Sequence, residues 1–139
     1  MKKIVLISCV SQKLSHKSKA KDMYISSLFK YNLKYAKSLN PDKIYILSAK
    51  YGLLDLNKEI EPYNLTLNTM KSGEIKDWAI KVLNQLNKVT DLQNDEFIFL
   101  AGEKYRKYLI PHISKYKIPL EGLKIGEQLK YLKEKVSNE

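Results

Sequence analysis

The hydrophobic and polar positions of this chain fall into three short apolar runs separated by longer amphipathic segments. The apolar runs cover Lys3–Ser8, Lys43–Leu47 and Glu96–Leu100, and each has the length and composition of a buried β-strand. Largely apolar strands of this kind are typical of a parallel sheet that is covered on both faces. Parallel strands end at one edge of their sheet, and open α/β sheets bind ligands beyond that edge. The pattern therefore indicates where a ligand site would lie.

The amphipathic segments predict four helices, because their apolar positions recur every three to four residues. These helices cover Tyr24–Leu39, Ser72–Val89, Glu103–Tyr116 and Gly126–Val136. Pro111 is expected to bend or split the third helix, since proline has no amide hydrogen for the helical ladder. Residues 9–21 and 50–68 follow neither period and are predicted to be loops. Strands that alternate with helices predict an α/β fold, an open, Rossmann-like, three-layer sandwich around a mainly parallel central sheet.

The length of 139 residues suits a single α/β domain over residues 1–139. No apolar stretch approaches the roughly 20 residues that a membrane helix needs, and the apolar stretch after Met1 is too short for a signal peptide. The protein is therefore expected to be cytoplasmic and without membrane partners. One cysteine excludes an internal disulfide, and two isolated histidines, His16 and His112, give no metal-ligand spacing, so neither a metal nor a cofactor is predicted.

The formal net charge is +10, with 25 lysines and arginines against 15 aspartates and glutamates. Such a charge favours phosphate-bearing partners such as a nucleotide or a nucleic acid. Much of it comes from lysines on the polar faces of the predicted helices, where lysine also serves simply to solvate the surface. Two functions therefore stay open: a site for a nucleobase or nucleotide, and a non-catalytic basic module that binds DNA or RNA.

Candidate catalytic groups follow the first strand. Cys9 lies where a parallel sheet places reactive side chains, and the nearby Lys13 and His16 would favour its nucleophilic thiolate form. A structural role for Cys9 is the alternative, because free cysteine is among the most often buried residues. Lys13 could contact a phosphate, act as an activated amine, or be an ordinary solvated lysine. Asp22 is the third candidate; it could act as a single acid or cap the helix that follows it.

The first and third strand ends also carry groups that suit anions and polar base edges. Ser8 and Ser11 could donate hydrogen bonds to a phosphate or base oxygen, or could simply form a turn. Gly102 stands between a strand and a helix, where backbone amides are exposed to anions, and Arg106 could add a bidentate contact one turn later. Tyr105 lies beside them and could equally belong to the core.

The second strand end and the segment after it supply further candidate binding residues. Ser48 and Gly52 allow a close approach of backbone to ligand, with Gly52 suited to a positive φ, while Lys50 offers charge and Tyr51 a stacking face. A plain turn is the alternative. Further on, a ring, an amide and a hydroxyl suit a planar, hydrogen-bonding heterocycle, or equally a well-packed loop; they belong to Tyr63, Asn64 and Thr66.

Several segments resemble a family of small, functionally uncharacterised bacterial and phage domains, the DUF6884-like domains. The resemblance covers nearly the whole chain and rests on Ser8-Cys9 with Ser11 and Lys13, Asp22–Phe29, Ile46–Leu54, Glu61–Leu67 and Gly122–Gly126. These motifs are also distantly similar to the middle domain of archaeosine synthase, an enzyme of 7-deazaguanine modification in transfer RNA. The resemblance implies chemistry on a nucleobase and implies that Asp22 and Tyr24 face the crevice.

The sequence thus predicts an enzyme that binds a nucleobase or nucleotide and acts on a free or modified base, a nucleoside or a nucleic-acid base, as a transferase or hydrolase. Cys9 or Lys13 would serve as nucleophile or charge stabiliser, and Ser48, Lys50, Tyr63 and Asn64 would hold the substrate. The basic DNA- or RNA-binding module remains the alternative. The enzymatic interpretation depends on the residues after all three strands, Cys9, Ser48 and Gly102, lining one cavity.

Overall fold

The computed structural model describes residues 1–137 and contains a five-stranded, mostly parallel sheet flanked by helices. The strands are β1 Lys3–Ser8, β2 Ser18–Lys19, β3 Lys43–Ser48, β4 Gly52–Asp55, β5 Glu59–Ile60, β6 Glu96–Leu100 and β7 Lys115–Lys117. The helices are α1 Ala20–Met23, α2 Ser27–Ser38, α3 Ser72–Val89, α4 Glu103–Arg106 and α5 Ile125–Ser137, with short 3₁₀ turns at Leu67–Thr69 and Ile110–His112.

The central sheet has the strand order β4-β3-β1-β6-β7. β1 is paired in parallel with both neighbours, so that Val5 faces Ile44 on β3 and Ile98 on β6. β7 is parallel to β6, β4 is antiparallel to β3, and β2 and β5 form a separate antiparallel pair. The predicted α/β class with a mainly parallel sheet is confirmed, and the carboxyl ends of β1, β3 and β6 lie at one edge.

Helices cover the sheet because their apolar residues recur at helical spacing. α2 packs against α5 and β1, while α3 packs against β4. The buried residues of α3 are Ile75, Trp78, Ala79, Val82 and Leu86. The prediction of α3 is confirmed at both ends, and the Glu74 carboxylate accepts the Lys71 N–H at 3.2 Å where the helix begins. α5 is confirmed with one more residue at each end.

The predicted loop at residues 50–68 is wrong at its start, where the chain turns back as β4. Gly52 pairs with Ser48 across this turn and has a φ of +76°. The Gln85 side chain lies against Gly52 and accepts the Leu53 N–H at 2.8 Å, so an added Cβ at Gly52 would overlap Gln85 Oε1. Gly52 therefore serves the turn in two ways, through its backbone angle and through the space that it leaves for Gln85.

The first predicted helix begins later than expected. Ser26 Oγ accepts the Phe29 N–H at 3.2 Å and starts α2, whereas Tyr24 is extended and forms a backbone bridge with Lys13. The predicted loop at residues 9–21 also contains β2 and the first residues of α1. Asp22 lies exposed within α1, so the proposed helix cap at Asp22 is wrong; Ser26 fills that role.

The predicted helix over residues 103–116 is wrong beyond Arg106. Proline cannot donate to the helical ladder, and the chain forms a 3₁₀ turn around Pro111 before β7 extends the sheet. The expectation that Pro111 splits this segment is thereby confirmed. His112 is exposed on the same turn.

Candidate functional site

A cavity of about 650 Å³ lies beyond the carboxyl ends of β1 and β6. It is lined by the ends of these strands, the start of α4, the first half of α2 and the segment leading into α5. Its walls combine apolar and polar side chains. The apolar ones include Leu28, Phe99, Leu100, Ile118, Leu120, Leu123 and Ile125, and the polar ones include Asn68, Glu103, Lys104 and Gln128. The volume lies within the range of cavities that hold small organic ligands.

Six of the residues singled out in the sequence line this cavity: Ser8, Cys9, Ser11, Gly102, Tyr105 and Arg106. Cys9 is held by its backbone, whose N–H donates to the Leu47 carbonyl of β3 at 3.0 Å. Its thiol donates to the Tyr105 hydroxyl at 3.3 Å. The adjacent ends of β1 and β6 thus bring together groups that are 96 positions apart in the chain.

The Tyr105 hydroxyl is fixed by its surroundings. It also accepts the Leu67 N–H at 3.4 Å, and its ring meets the Trp78 ring edge-on at 5.6 Å between centroids. Burial, and then the charge that Cys9 carries as a thiolate, raise the pKa of Tyr105 above its usual value. Tyr105 is therefore a neutral phenol that holds the cysteine side chain in place.

Gly102 and Arg106 frame the α4 side of the cavity. Gly102 is exposed, and nothing lies within 4 Å of the position that a Cβ would take there. The Arg106 guanidinium is half-buried and donates to the Ala101 carbonyl at 2.8 Å. The guanidinium group therefore satisfies the backbone carbonyl that directly follows β6.

A second group of predicted residues forms a hydroxyl cluster beside Cys9. Tyr63 OH lies 2.7 Å from Ser48 Oγ and 2.7 Å from Tyr24 OH, and the Tyr51 N–H donates to Ser48 Oγ at 3.0 Å. Lys13 Nζ lies 4.5 Å from the centroid of the Tyr63 ring, within the range of a cation–π interaction. The backbone bridge between Lys13 and Tyr24 keeps the lysine over this cluster.

Burial dominates the electrostatics of the cluster. It raises the pKa of Tyr24 to about 12 and raises that of Tyr63 further, with the Cys9 thiolate as the second cause for Tyr63. Burial lowers the pKa of Lys13, and the charge on Cys9 acts in the opposite direction. Lys13 is therefore partly desolvated and electrostatically linked to Cys9, while the two phenols remain neutral hydrogen-bonding groups.

Ser48 lies in this cluster and does not line the cavity. The Trp78 indole donates to the Ser48 carbonyl at 2.9 Å, and the Ser48 hydroxyl is hydrogen-bonded to the Tyr63 hydroxyl. The serine is fully buried. The expectation that all three strand ends line one cavity is therefore correct for Cys9 and Gly102 and wrong for Ser48. The reason is packing, since aromatic rings cover the end of β3.

The remaining predicted site residues, one catalytic candidate and several binding candidates, lie away from the cavity lining. Asp22, Lys50 and Asn64 are exposed. Lys50 Nζ lies 5.3 Å from the ring centroid of the neighbouring Tyr51, whose hydroxyl accepts the Glu61 N–H at 3.3 Å. These contacts stabilise the turn after β3 and the segment that follows β5.

Gly52 and Thr66 also have local structural roles. Gly52 forms the turn into β4, as described above. Thr66 Oγ1 accepts the Asn68 N–H at 3.2 Å and caps the 3₁₀ turn that begins at Leu67. This turn presents the Leu67 N–H to Tyr105, so Thr66 acts on the cavity only through Tyr105.

Asn32 is a cavity residue that the sequence reasoning missed. It lies on the inner face of α2, is only 6% exposed and lines the cavity. Its Oδ1 is buried without a hydrogen-bond partner anywhere in residues 1–137. Leaving a buried acceptor unpaired costs about 1–3 kcal/mol, and such groups in native structures need a specific reason. The available signal was an asparagine at four-residue spacing between Leu28 and Ala36 on an apolar helix face.

The fold and the cavity together define an α/β protein with a ligand-sized, cysteine-containing cavity at the carboxyl edge of a mostly parallel sheet. The chain belongs to the DUF6884 family, a family of unknown function whose model matches residues 4–134. This confirms the family expected from the sequence motifs. A comparison with curated proteins found no match.

Two further observations concern the described part of the chain, residues 1–137. Its histidine, cysteine, aspartate and glutamate side chains form no group of three or more that could hold a metal ion. None of its helices combines the length and the apolar character needed to cross a membrane.

Proposed function

We propose that this protein is an enzyme that binds a nucleobase or nucleotide in the cavity and acts on a base, nucleoside or nucleic-acid base there, within an open, three-layer, Rossmann-like arrangement. The observation that carries the proposal is that one cavity is lined both by Cys9 and by Asn32, whose Oδ1 is buried without a partner in residues 1–137. A buried unpaired acceptor in a cavity gains a partner when a ligand supplies an N–H donor.

The shape and chemistry of the cavity support a planar heterocycle. A nucleobase has flat apolar faces for walls such as Leu28 and Phe99, and it has polar edges with N–H donors for Asn32. Ser8 and Ser11 also line the cavity and offer hydroxyls to base oxygens.

Cys9 is the nucleophile in this proposal. Its thiolate, formed when the thiol proton passes to solvent, would add to an electron-poor ring carbon of the base. The π bond at that carbon breaks, its electron pair moves onto a ring heteroatom, and Lys13 stabilises the resulting negative charge. Tyr105 holds the sulfur at the cavity wall through the 3.3 Å hydrogen bond. Tyr24, Tyr63 and Ser48 hold Lys13 and the first loop in position and do not contact the ligand.

A turnover screen tests the proposal. Nucleobases, nucleosides and short oligonucleotides are incubated with the protein and the products are analysed by mass spectrometry, using wild type, Cys9→Ala and Lys13→Ala. We expect Cys9→Ala to abolish turnover and Lys13→Ala, which removes a charge-stabilising group, to reduce it by about 10²- to 10³-fold. Lys17→Ala, which alters an exposed lysine of the same loop, should leave turnover unchanged.

Protection of the thiol gives a second measurement. Cys9 is 7% exposed, so iodoacetamide should alkylate it slowly, and a bound nucleoside should slow the reaction further. Absence of any turnover, combined with alkylation rates that no nucleobase or nucleoside changes, would contradict the proposal.

A further inference from the structure

A second concave surface lies between the carboxyl-terminal halves of α2 and α5. This groove encloses about 940 Å³ and is lined by Tyr31, Lys34, Lys37, Ser38, Asn40, Lys133, Glu134 and Val136. None of these residues lines the cavity that contains Cys9. Lys37 is five residues beyond Asn32 on α2, which places it about 7.5 Å further along the helix axis. The groove is therefore a separate surface of the same helices.

Positive charge is concentrated in this groove. Its lining includes three exposed lysines and one acidic residue, Glu134. Two of the lysines, Lys34 and Lys37, are on α2, which contains no aspartate or glutamate. Two of the ammonium groups make cation–π contacts with the Tyr31 ring, with Lys34 Nζ at 5.4 Å and Lys133 Nζ at 5.6 Å from the ring centroid. The ring therefore offsets the repulsion between like charges and keeps two cations from different helices close together.

We propose that this groove binds the phosphate backbone of a nucleic-acid strand. A chain of phosphates can contact Lys34, Lys37 and Lys133 at once, and the release of its counterions favours such binding. An anionic membrane surface fits less well, because surface-bound helices also insert apolar side chains. The large exposed apolar residues of the described chain, such as Ile25 and Ile125, are not among those lining the groove. The proposal goes beyond the function proposed for the cavity and stands without it.

The test compares two triple variants that lower the net charge equally. The groove variant is K34Q/K37Q/K133Q, and the control variant is K58Q/K71Q/K88Q, which removes three exposed lysines outside the groove. Affinity for a fluorescein-labelled, single-stranded 20-mer is measured by fluorescence anisotropy over a series of salt concentrations. Thermal unfolding of each variant checks that it is folded.

We expect the groove variant to bind at least about tenfold more weakly than the control variant at low salt. We also expect the slope of log affinity against log salt to become less negative by about 2 in the groove variant, since each of the three lost phosphate contacts on a single strand contributes about 0.7. Equal losses in the two variants would show that only the total charge matters and would overturn the proposal. Wild-type protein that does not bind the strand at low salt would overturn it as well.

Two further measurements distinguish a strand bound in the groove from a strand bound in the cavity and from a lipid surface. Asn32→Leu, which alters the cavity, should leave strand affinity within about twofold; a large loss there with none in the groove variant would place the strand at the cavity and overturn the proposal. Anionic phospholipid vesicles are the second probe. Groove-dependent binding to vesicles that exceeds binding to the strand would assign the groove to a lipid surface instead.

Discussion

Replacing Asn32 by leucine should stabilise the protein while removing its ligand binding. The wild-type side chain buries an acceptor without a partner, which costs about 1–3 kcal/mol, and leucine removes that acceptor. The adjacent cavity of about 650 Å³ leaves room for the larger side chain. Leucine also has a higher helix propensity than asparagine by about 0.4 kcal/mol, which adds a small gain on α2.

These contributions together predict that Asn32→Leu raises the free energy of unfolding by about 2 kcal/mol, or the melting temperature by roughly 7 °C for a chain of this length. Urea unfolding in the absence of ligand measures the first quantity and calorimetry the second. The same variant should lose its affinity for whichever nucleobase or nucleoside the wild type binds, as measured by isothermal titration.

Asn84→Leu is the matched control, because Asn84 is also on a helix but is exposed. It should gain only the helix-propensity contribution of about 0.4 kcal/mol. If Asn32→Leu stabilises the protein no more than Asn84→Leu, or destabilises it, then the Asn32 acceptor is not an energetic cost in the free protein. The central observation behind the proposed ligand site would then be lost.

Stability should fall as the pH rises from about 10 to 12, because the raised pKa values of Tyr24 and Tyr63 mean that the folded state keeps protons that the unfolded chain releases. Each of the two tyrosines makes the free energy of unfolding fall by about 1.4 kcal/mol per pH unit in this range. Urea unfolding of the Tyr24→Phe/Tyr63→Phe variant should therefore show a flatter dependence on pH than the wild type, and equal slopes would contradict this reasoning. Gly52→Ala should destabilise the protein by about 2–4 kcal/mol, against about 1 kcal/mol for Gly122→Ala, which shares a positive φ but has open space around it. In a Gln85→Ala background the cost at Gly52 should fall to about that at Gly122, and a cost that stays unchanged would exclude the proposed overlap.

The sequence was most informative where burial is continuous. β1, β6, α3 and α5 follow from apolar runs or helical spacing, because every core position in them is apolar. The segment after Arg106 misled the same reasoning, since its apolar residues fit a helical period while Pro111 prevents the helix. β7 then forms by pairing with the free edge of β6. The spacing of apolar residues within β7 gives no sign of this pairing, because the partner strand is distant in the sequence.

The site was predictable only in part. Adjacent parallel strands bring Cys9 and Gly102 together, and that follows from topology. The enclosure of Ser48 by Trp78 and Tyr63 depends on contacts between residues 15 to 30 positions apart, which no local pattern encodes. Asn32 was detectable as a polar residue on an apolar face, but its missing partner is visible only in three dimensions.

The outermost strand of the parallel side, β7, is only three residues long, and all three are exposed. Unpaired strand edges invite the edges of other molecules and so promote aggregation. Two of the three residues, Lys115 and Lys117, are lysines, so a second copy aligned here would bring like charges together. A short, cationic border of this kind disfavours the pairing of a second copy with this edge of the sheet.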